Sequence, residues 1–302
     1  MSKLGIALGG GGARGLAHIG VLKVLERENI DIHAITGCSM GSVIGGLYAY
    51  LRDAQEVEDY IFEILNHPVV QELNLESLSE NKKDDEGVVD KIAEFIQNRV
   101  TALKAINEIS IISKEVTKKI FSLLPNPKIE SLPVKFSAIS TNIMNGEEVN
   151  FTSGGLRKII MASSAIPGIF PPVKIGSSLF IDGNAAESVP VNKVRELGAD
   201  RVIAVDVTRD IKLTAPLNNA IEVVFRAQDI STYHLSNERL KGADLILKPK
   251  VNKLSWADFK FAKKIIKEGE LETEKMLPKI KELIDKNYYL LEFEHFLSKL
   301  KN

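Results

Sequence analysis

The chain has 302 residues, 44% of them hydrophobic and 26% charged, with a formal net charge of -1. That length can bury a full core as one large domain or two small ones, and the near-neutral balance gives no global field toward nucleic acid or anionic lipid. Nucleic acid is therefore excluded as a partner on charge, and any membrane contact has to come from a local patch.

The opening "MSKLGIALGG" runs straight into a first strand, "LGIAL" (4–8). With no apolar signal-peptide core and no cleavage site, a cytoplasmic protein is expected. A helix follows, carrying Ile19, Leu22, Val24 and Leu25 on one face. "IHAIT" (32–36) then precedes a second helix, "MGSVIGGLYAYL". Residues 70–130 break this alternation with a long, polar, helical stretch that includes the solvated charge run "SENKKDDE" (79–86). They read as a helical insertion, either a cap over the site or extra helices on the sheet.

Further strands follow at "VKFSAIS" (134–140), "NGEEVNF" (145–151), "SSLFIDG" (177–183), "RVIAVDV" (201–207) and "ADLILKP" (243–249), with Asn145–Gly146 as a tight hairpin turn. The alternation predicts an α/β fold, a mainly parallel central sheet with helices on both faces, over residues 1–286. The longest apolar stretches are interrupted by Pro167, Pro171 and Pro172 or are too short to span a bilayer. Residues 287–302 form an amphipathic helix with Tyr289, Phe293, Phe296, Leu297 and Leu300 on one stripe. That stripe can pack on its own protein, on a second copy as a homodimer, or peripherally on the inner membrane surface.

Cys38 is the only cysteine, which excludes an internal disulfide and a Cys-rich zinc site. His18, His33, His67, His234 and His295 show no metal-ligand spacing. Neither a metal nor another cofactor is expected.

Gly37-Cys38-Ser39-Met40-Gly41 fits G-x-S-x-G between a strand and a helix. The pattern places a serine on a sharp turn where only small residues two before and two after it avoid clashes. The helix N-terminus behind it favours an alkoxide or an oxyanion. "GGGARG" (10–15) also matches a dinucleotide fingerprint, but the acidic residue this requires at the end of the second strand is missing. No Lys-Ser/Thr follows, so a phosphate-binding P-loop fails too. The glycine amides are better read as donors to the negative oxygen of a tetrahedral intermediate beside Ser39.

For a base, His234 falls on a helix face, whereas Asp182 ends an apolar strand and is followed by Gly183. A carboxylate whose pKa is raised by burial can take the serine proton directly. His18 reads as structural and Cys38 as a small buried filler pointing away from the nucleophile. Ser163 and Ser164 read as helix and turn formers.

Taken together, Gly10-Gly11-Gly12-Ala13-Arg14-Gly15, Gly37-Cys38-Ser39-Met40-Gly41 and Asp182-Gly183-Asn184 resemble the three motifs of the patatin-like phospholipases, bacterial members especially. "ASSAIPGIFPPV" (162–173) resembles a fourth segment of that family, and the likeness covers about residues 4 to 210. It implies a patatin-type fold and a Ser–Asp dyad without a catalytic histidine. Ser39 would be the nucleophile, Asp182 the base, and Gly11 and Gly12 the oxyanion donors, with Gly10, Gly15, Gly37, Gly41 and Gly183 shaping the turns. Arg14 would fix the loop or meet a substrate phosphate. Asn184 departs from the family's usual Ala or Gly; the turn is expected to survive because Asn tolerates left-handed backbone.

The expected function is cleavage of fatty-acyl esters of phospholipids or lysophospholipids. Two alternatives stay open. One is a carboxylesterase or acyl transferase on small esters. The other is a non-enzymatic regulatory protein that keeps the site's shape, with Asn184 as its best argument.

Overall fold

The computed structural model describes residues 2–73, 109–209, 211 and 220–285. In chain order these give β1 (Leu4–Leu8), α1 (Ala17–Arg27), β2 (Ala34–Cys38), α2 (Met40–Leu51), α3 (Ala54–Asn66), α4 (Pro68–Gln71) and α5 (Lys114–Ser122). Then come β3 (Lys135–Asn142), β4 (Glu148–Phe151), α6 (Leu156–Ser163), β5 (Val173–Ile175), β6 (Ser178–Asp182), α7 (Val191–Glu196), β7 (Arg201–Val205), α8 (Ala220–Leu240), β8 (Leu245–Leu247) and α9 (Ala262–Asp285). No described helix is long and apolar enough to cross a membrane. The amphipathic tail at 287–302 and most of the polar stretch, residues 74–108, lie outside the described residues.

The strands form one sheet in the order β5-β6-β3-β2-β1-β7-β8, with β4 on β3. β3, β2, β1, β7 and β8 are parallel neighbours. β4 and β6 each pair antiparallel with β3, and β5 pairs antiparallel with β6. The sheet is therefore mainly parallel, as expected. β2 is displaced from its sequence-based bounds: it starts at Ala34 and runs to Cys38, next to the serine turn.

Period-two alternation sends the sheet's side chains to two cores. Leu4, Ile6, Leu8, Ile203 and Val205 pack into the larger cluster with residues of α1, α2, α3 and α9. Ala7, Ala34, Val202 and Ala204 face the smaller cluster, built with Val191 and Val194 of α7. Helices thus cover both faces, which leaves the strand ends as the place for a site.

Strand β3 sets the geometry of that site. Ala138 pairs with Gly37 on one edge and Phe151 on the other, and Ser140 pairs with both Val149 and Asp182. β4 holds one edge from Ala138 to Thr141, so β2 and β6 must share the opposite edge, end to end. β2 stops at Cys38 opposite Ile139, and Asp182 takes the next position, opposite Ser140. Two strands far apart in sequence therefore finish head to head.

Candidate active site

Ser39 sits at the turn from β2 into α2 with φ 51 and ψ -123. Positive φ is unusual for a residue with a side chain, and such strain costs about 1–3 kcal/mol. The turn is over-determined by its surroundings. The Ser39 amide donates to Ser163 Oγ at 3.0 Å, and its carbonyl accepts from the Ser42 amide at 2.8 Å and the Ser42 hydroxyl at 2.7 Å. A Cβ on Gly37 would lie 2.5 Å from the Gly41 carbonyl carbon and the Ser42 nitrogen. The two motif glycines thus let strand and helix fold back on each other.

The Ser39 hydroxyl donates to Asp182 Oδ2 at 2.6 Å, and both residues are buried. Asp182 Oδ1 accepts from the Asn184 amide at 2.9 Å, and Cys38 Sγ lies 3.9 Å away. Burial lifts the Asp182 carboxyl to about 6, while its bonds from Ser39, Asn184 and Cys38 pull it back toward the usual range. Cys38 is buried as expected, but its side chain reaches the Asp182 carboxylate rather than pointing away. Burial first, and then the Asp182 charge, hold its thiol well above the ordinary range, so it stays protonated.

The glycine loop leaves the end of β1 beside β2. The amides of Gly9, Gly10, Ala13 and Arg14 donate to the carbonyls of Val205, Ser188, Trp256 and Gly11. Among the described residues the Gly11 and Gly12 amides have no such partner, and both residues line a cavity that also contains Ser39. Gly12 adopts φ +56, and a Cβ there would press on the Trp256 backbone. Arg14 resolves into a loop anchor: its Nε and Nη1 donate to the Val207 and Leu254 carbonyls, each at 3.0 Å. His18 is structural, as expected, its ring 2.7 Å from the Gly9 carbonyl. Burial lowers its pKa to about 4, so the ring is neutral and its Nε2 proton supports the loop. Gly15 abuts Met40 at the start of α2.

The turn after Asp182 survives Asn184, though not for the expected reason. Neither Gly183 nor Asn184 has positive φ; the chain makes a short 3-10 turn capped by Asp182. Gly183 is needed for space, since a Cβ would lie 2.6 Å from the Ile139 carbonyl oxygen. The Asn184 amide group rests against Gly10.

Two cavities meet at Ser39. One, of about 140 Å³, is walled by Ile61, Ile64 and Leu65 of α3, Val70 and Leu73 at and after α4, Ile120, Phe121 and Leu124 at and after α5, and Phe170 and Phe259. The described ends of the helical insertion therefore wall an apolar chamber. The other cavity is lined by Gly10, Gly11, Gly12, Asp182 and Asn184, together with Thr208, Arg209, Gln228, Asp229 and Thr232. Gly12, Ser39, Ile166 and Trp256 border both.

Trp256 and the polar face of α8 were not found by sequence reasoning. A lone tryptophan in an otherwise unremarkable loop was the one available signal. Ser163, read as a helix former, does end α6, but its hydroxyl also receives the Ser39 amide. His234 lies on α8 with its ring against Tyr233 and lines neither cavity.

A serine on a strand-to-helix elbow, bonded to a buried carboxylate at the strand ends of an α/β sheet, defines the class of site. Residues 6–194 match the patatin-like phospholipase family model, and the chain belongs to that family. Its relatives include lysophospholipase NTE1 of the fungus Debaryomyces hansenii, 30% identical over 204 residues, which are 68% of this chain and 12% of that protein. The corresponding protein of Yarrowia lipolytica is 30% identical over 215 residues, 71% of this chain and 13% of the relative. The match thus spans about an eighth of these much longer proteins. Among solved structures, VipD from Legionella pneumophila aligns with a TM-score of 0.48 at 13% identity, covering 92% of this chain and 67% of that one.

Proposed function

We propose that the protein is a serine acyl hydrolase that cleaves fatty-acyl esters of phospholipids or lysophospholipids through Ser39 and Asp182. The observation that carries this reading is the 2.6 Å bond between Ser39 Oγ and Asp182 Oδ2, placed where an apolar and a polar cavity meet. Ser39 Oγ attacks the ester carbonyl carbon while Asp182 takes its proton. The carbonyl oxygen, now negative, receives the Gly11 and Gly12 N–H groups. Collapse of the intermediate expels the alcohol part, which takes the proton from Asp182, and leaves the acyl group on Ser39. Asp182 then accepts a proton from water as that water attacks the acyl carbon. The fatty acid leaves and Ser39 regains its hydroxyl proton. The apolar cavity holds the acyl chain throughout.

Fatty-acid release from lysophosphatidylcholine and from p-nitrophenyl butyrate, in EDTA, tests this for wild type and Ser39→Ala. The reading expects Ser39-dependent release from the lysolipid. A preference for the short soluble ester over the lipid would make the protein a general esterase. Inertness on both would remove the hydrolase reading.

The base also fixes a pH limb. Asp182 acts as a carboxylate, so kcat/KM should fall about tenfold per pH unit below its value of about 6 and level off above it. In Ser39→Ala the carboxylate loses the hydroxyl that lowers its pKa, so carboxyl NMR should place the Asp182 titration higher than in wild type. An unchanged or lower titration would contradict the bond.

A further inference from the structure

Resting on the acyl-hydrolase reading, we propose that Glu187 is a positioning residue for that reaction. Protonated, it donates a hydrogen bond to the Glu148 carboxylate, and this bond fixes the turn that presents Asp182 and anchors the glycine loop. The backbone sets up the connection. The Glu187 amide donates to the Gly183 carbonyl at 2.8 Å, closing the turn that begins beside Asp182. The carbonyl of the next residue, Ser188, accepts the Gly10 amide at 3.0 Å, one position before Gly11. One short segment, Asp182 to Ser188, therefore carries the base at one end and holds the oxyanion loop at the other.

The Glu187 side chain is fully buried, and neither carboxyl oxygen meets a hydrogen-bond donor among the described residues. An ionised carboxyl cannot be left so without a large desolvation cost. The groups around it do not supply enough positive charge. Arg239 of α8 holds its Nε 3.8 Å from Glu187 Oε1, beyond hydrogen-bond length, and its Nη2 3.5 Å from Glu148 Oε2 of β4. Lys193 of α7 lies 3.4 Å from Glu148 Oε1 but nearer, at 3.0 Å, to Glu196 Oε1 on its own helix. Three carboxyls thus share two cations. Cys38, at the end of β2, feels the charges of Asp182 and Glu187 but stays a neutral thiol. The Glu148 carboxyl is within hydrogen-bond reach of Glu187, and two carboxylates so close do not both ionise. Burial first, and then Glu148, hold the Glu187 pKa far above the ordinary carboxylate range, against the weaker pull of Arg239 and Lys193. A proton on Glu187 resolves the conflict. It supplies the missing donor, matches the charges, and ties the catalytic turn to β4. Loss of that proton puts repulsion in place of the bond, and both ends of the segment shift.

The test is the pH profile of kcat/KM for lysophosphatidylcholine from about pH 5 to 10, where its phosphodiester and quaternary ammonium do not titrate. Wild type should hold the plateau above the Asp182 limb while Glu187 keeps its proton, then fall roughly tenfold or more in the alkaline range. Glu187→Ala, which has no donor, should sit at that lowered level across the plateau. Glu187→Gln should restore the rate and remove the alkaline fall, because its amide donates to Glu148 at every pH. The acid limb belongs to Asp182 and should stay in all three. A flat wild-type profile, an alkaline fall that persists in Glu187→Gln, or a Glu187→Ala profile like that of wild type overturns the proposal. A second readout does not depend on turnover. In the Ser39→Ala protein, carboxyl NMR should show a side chain that titrates above neutral pH and disappears once Glu187→Gln is added. Absence of that titration overturns the proposal even where esters are hydrolysed. If the titration is present but wild type shows no Ser39-dependent release, the hydrolase reading falls while the Glu187–Glu148 bond stands.

Discussion

Asp182→Asn is expected to lower kcat/KM by a factor of about 10³ to 10⁴ and, at the same time, to make the protein more stable at pH 8. The loss follows from the proposed chemistry: an amide cannot take the serine proton, although its oxygen can still accept from the Asn184 amide. The gain follows from burial. The folded carboxyl titrates at about 6 against an ordinary value of 3.8. The folded state therefore binds the proton more tightly than the unfolded chain. Stability is lost as pH rises from about 4 through 6, and the full cost persists above that. A shift of this size is worth about 2–3 kcal/mol, and an uncharged Asn escapes it. Thermal or urea unfolding at pH 8 should show the variant ahead by that order, with the difference shrinking toward zero near pH 4. A variant that is equally or less stable at pH 8 would mean that Asp182 is not held at a desolvation cost. Near-wild-type turnover would mean that it is not the base.

Gly37→Ala is expected to disturb the serine turn strongly. Its Cβ would sit 2.5 Å from backbone atoms of Gly41 and Ser42, and backbone cannot swing aside as a flexible side chain can. Strand β2 and helix α2 would have to separate at the turn that aims Ser39. A cost of about 3 kcal/mol or more is expected. A shift of the order of 1 Å in the nucleophile should also reduce turnover by about 10²-fold or more. Gly146→Ala is the natural comparison. That glycine has φ +77 at the β3–β4 hairpin, with none of the described residues within 4 Å of an added Cβ. It should cost only about 1 kcal/mol of backbone strain, far from the serine turn. Urea unfolding of the two variants, with esterase rates alongside, separates a crowded elbow from a general intolerance of side chains at glycine positions. Equal, mild effects in both would contradict the close approach at Gly37.

The strands that build the site were readable because each carries its own signal. β1 ends in four glycines, β2 in the small-residue serine turn, and β6 in Asp182-Gly183. Their meeting was readable only in part. That β1 and β2 are parallel neighbours follows from the alternation of strands and helices. That β6 runs antiparallel and takes over the edge of β3 where β2 ends is a property of pairing, and no local pattern encodes it. Strand β5, three residues directly after Pro171 and Pro172, was not foreseen, whereas the equally short β8 sits in the apolar run "ADLILKP". The polar cavity was equally hidden. Arg209, Asp229 and Trp256 come from three separate stretches brought together by the return of the chain over the sheet end, and none carries a motif. Cys38 shows a third kind of miss: alternation along a strand predicts burial, but not which buried neighbour the side chain touches.

The central claim is that Ser39 is a nucleophile activated by Asp182. It is tested most directly by incubating the protein with a fluorophosphonate and mapping the adduct by peptide mass, for wild type, Ser39→Ala and Asp182→Asn in EDTA. One adduct per chain on the peptide carrying Ser39, lost in Ser39→Ala and slowed by at least 10²-fold in Asp182→Asn, is the expected result. An adduct on another residue, or labelling of Ser39 at the same rate with and without the Asp182 carboxylate, would contradict it.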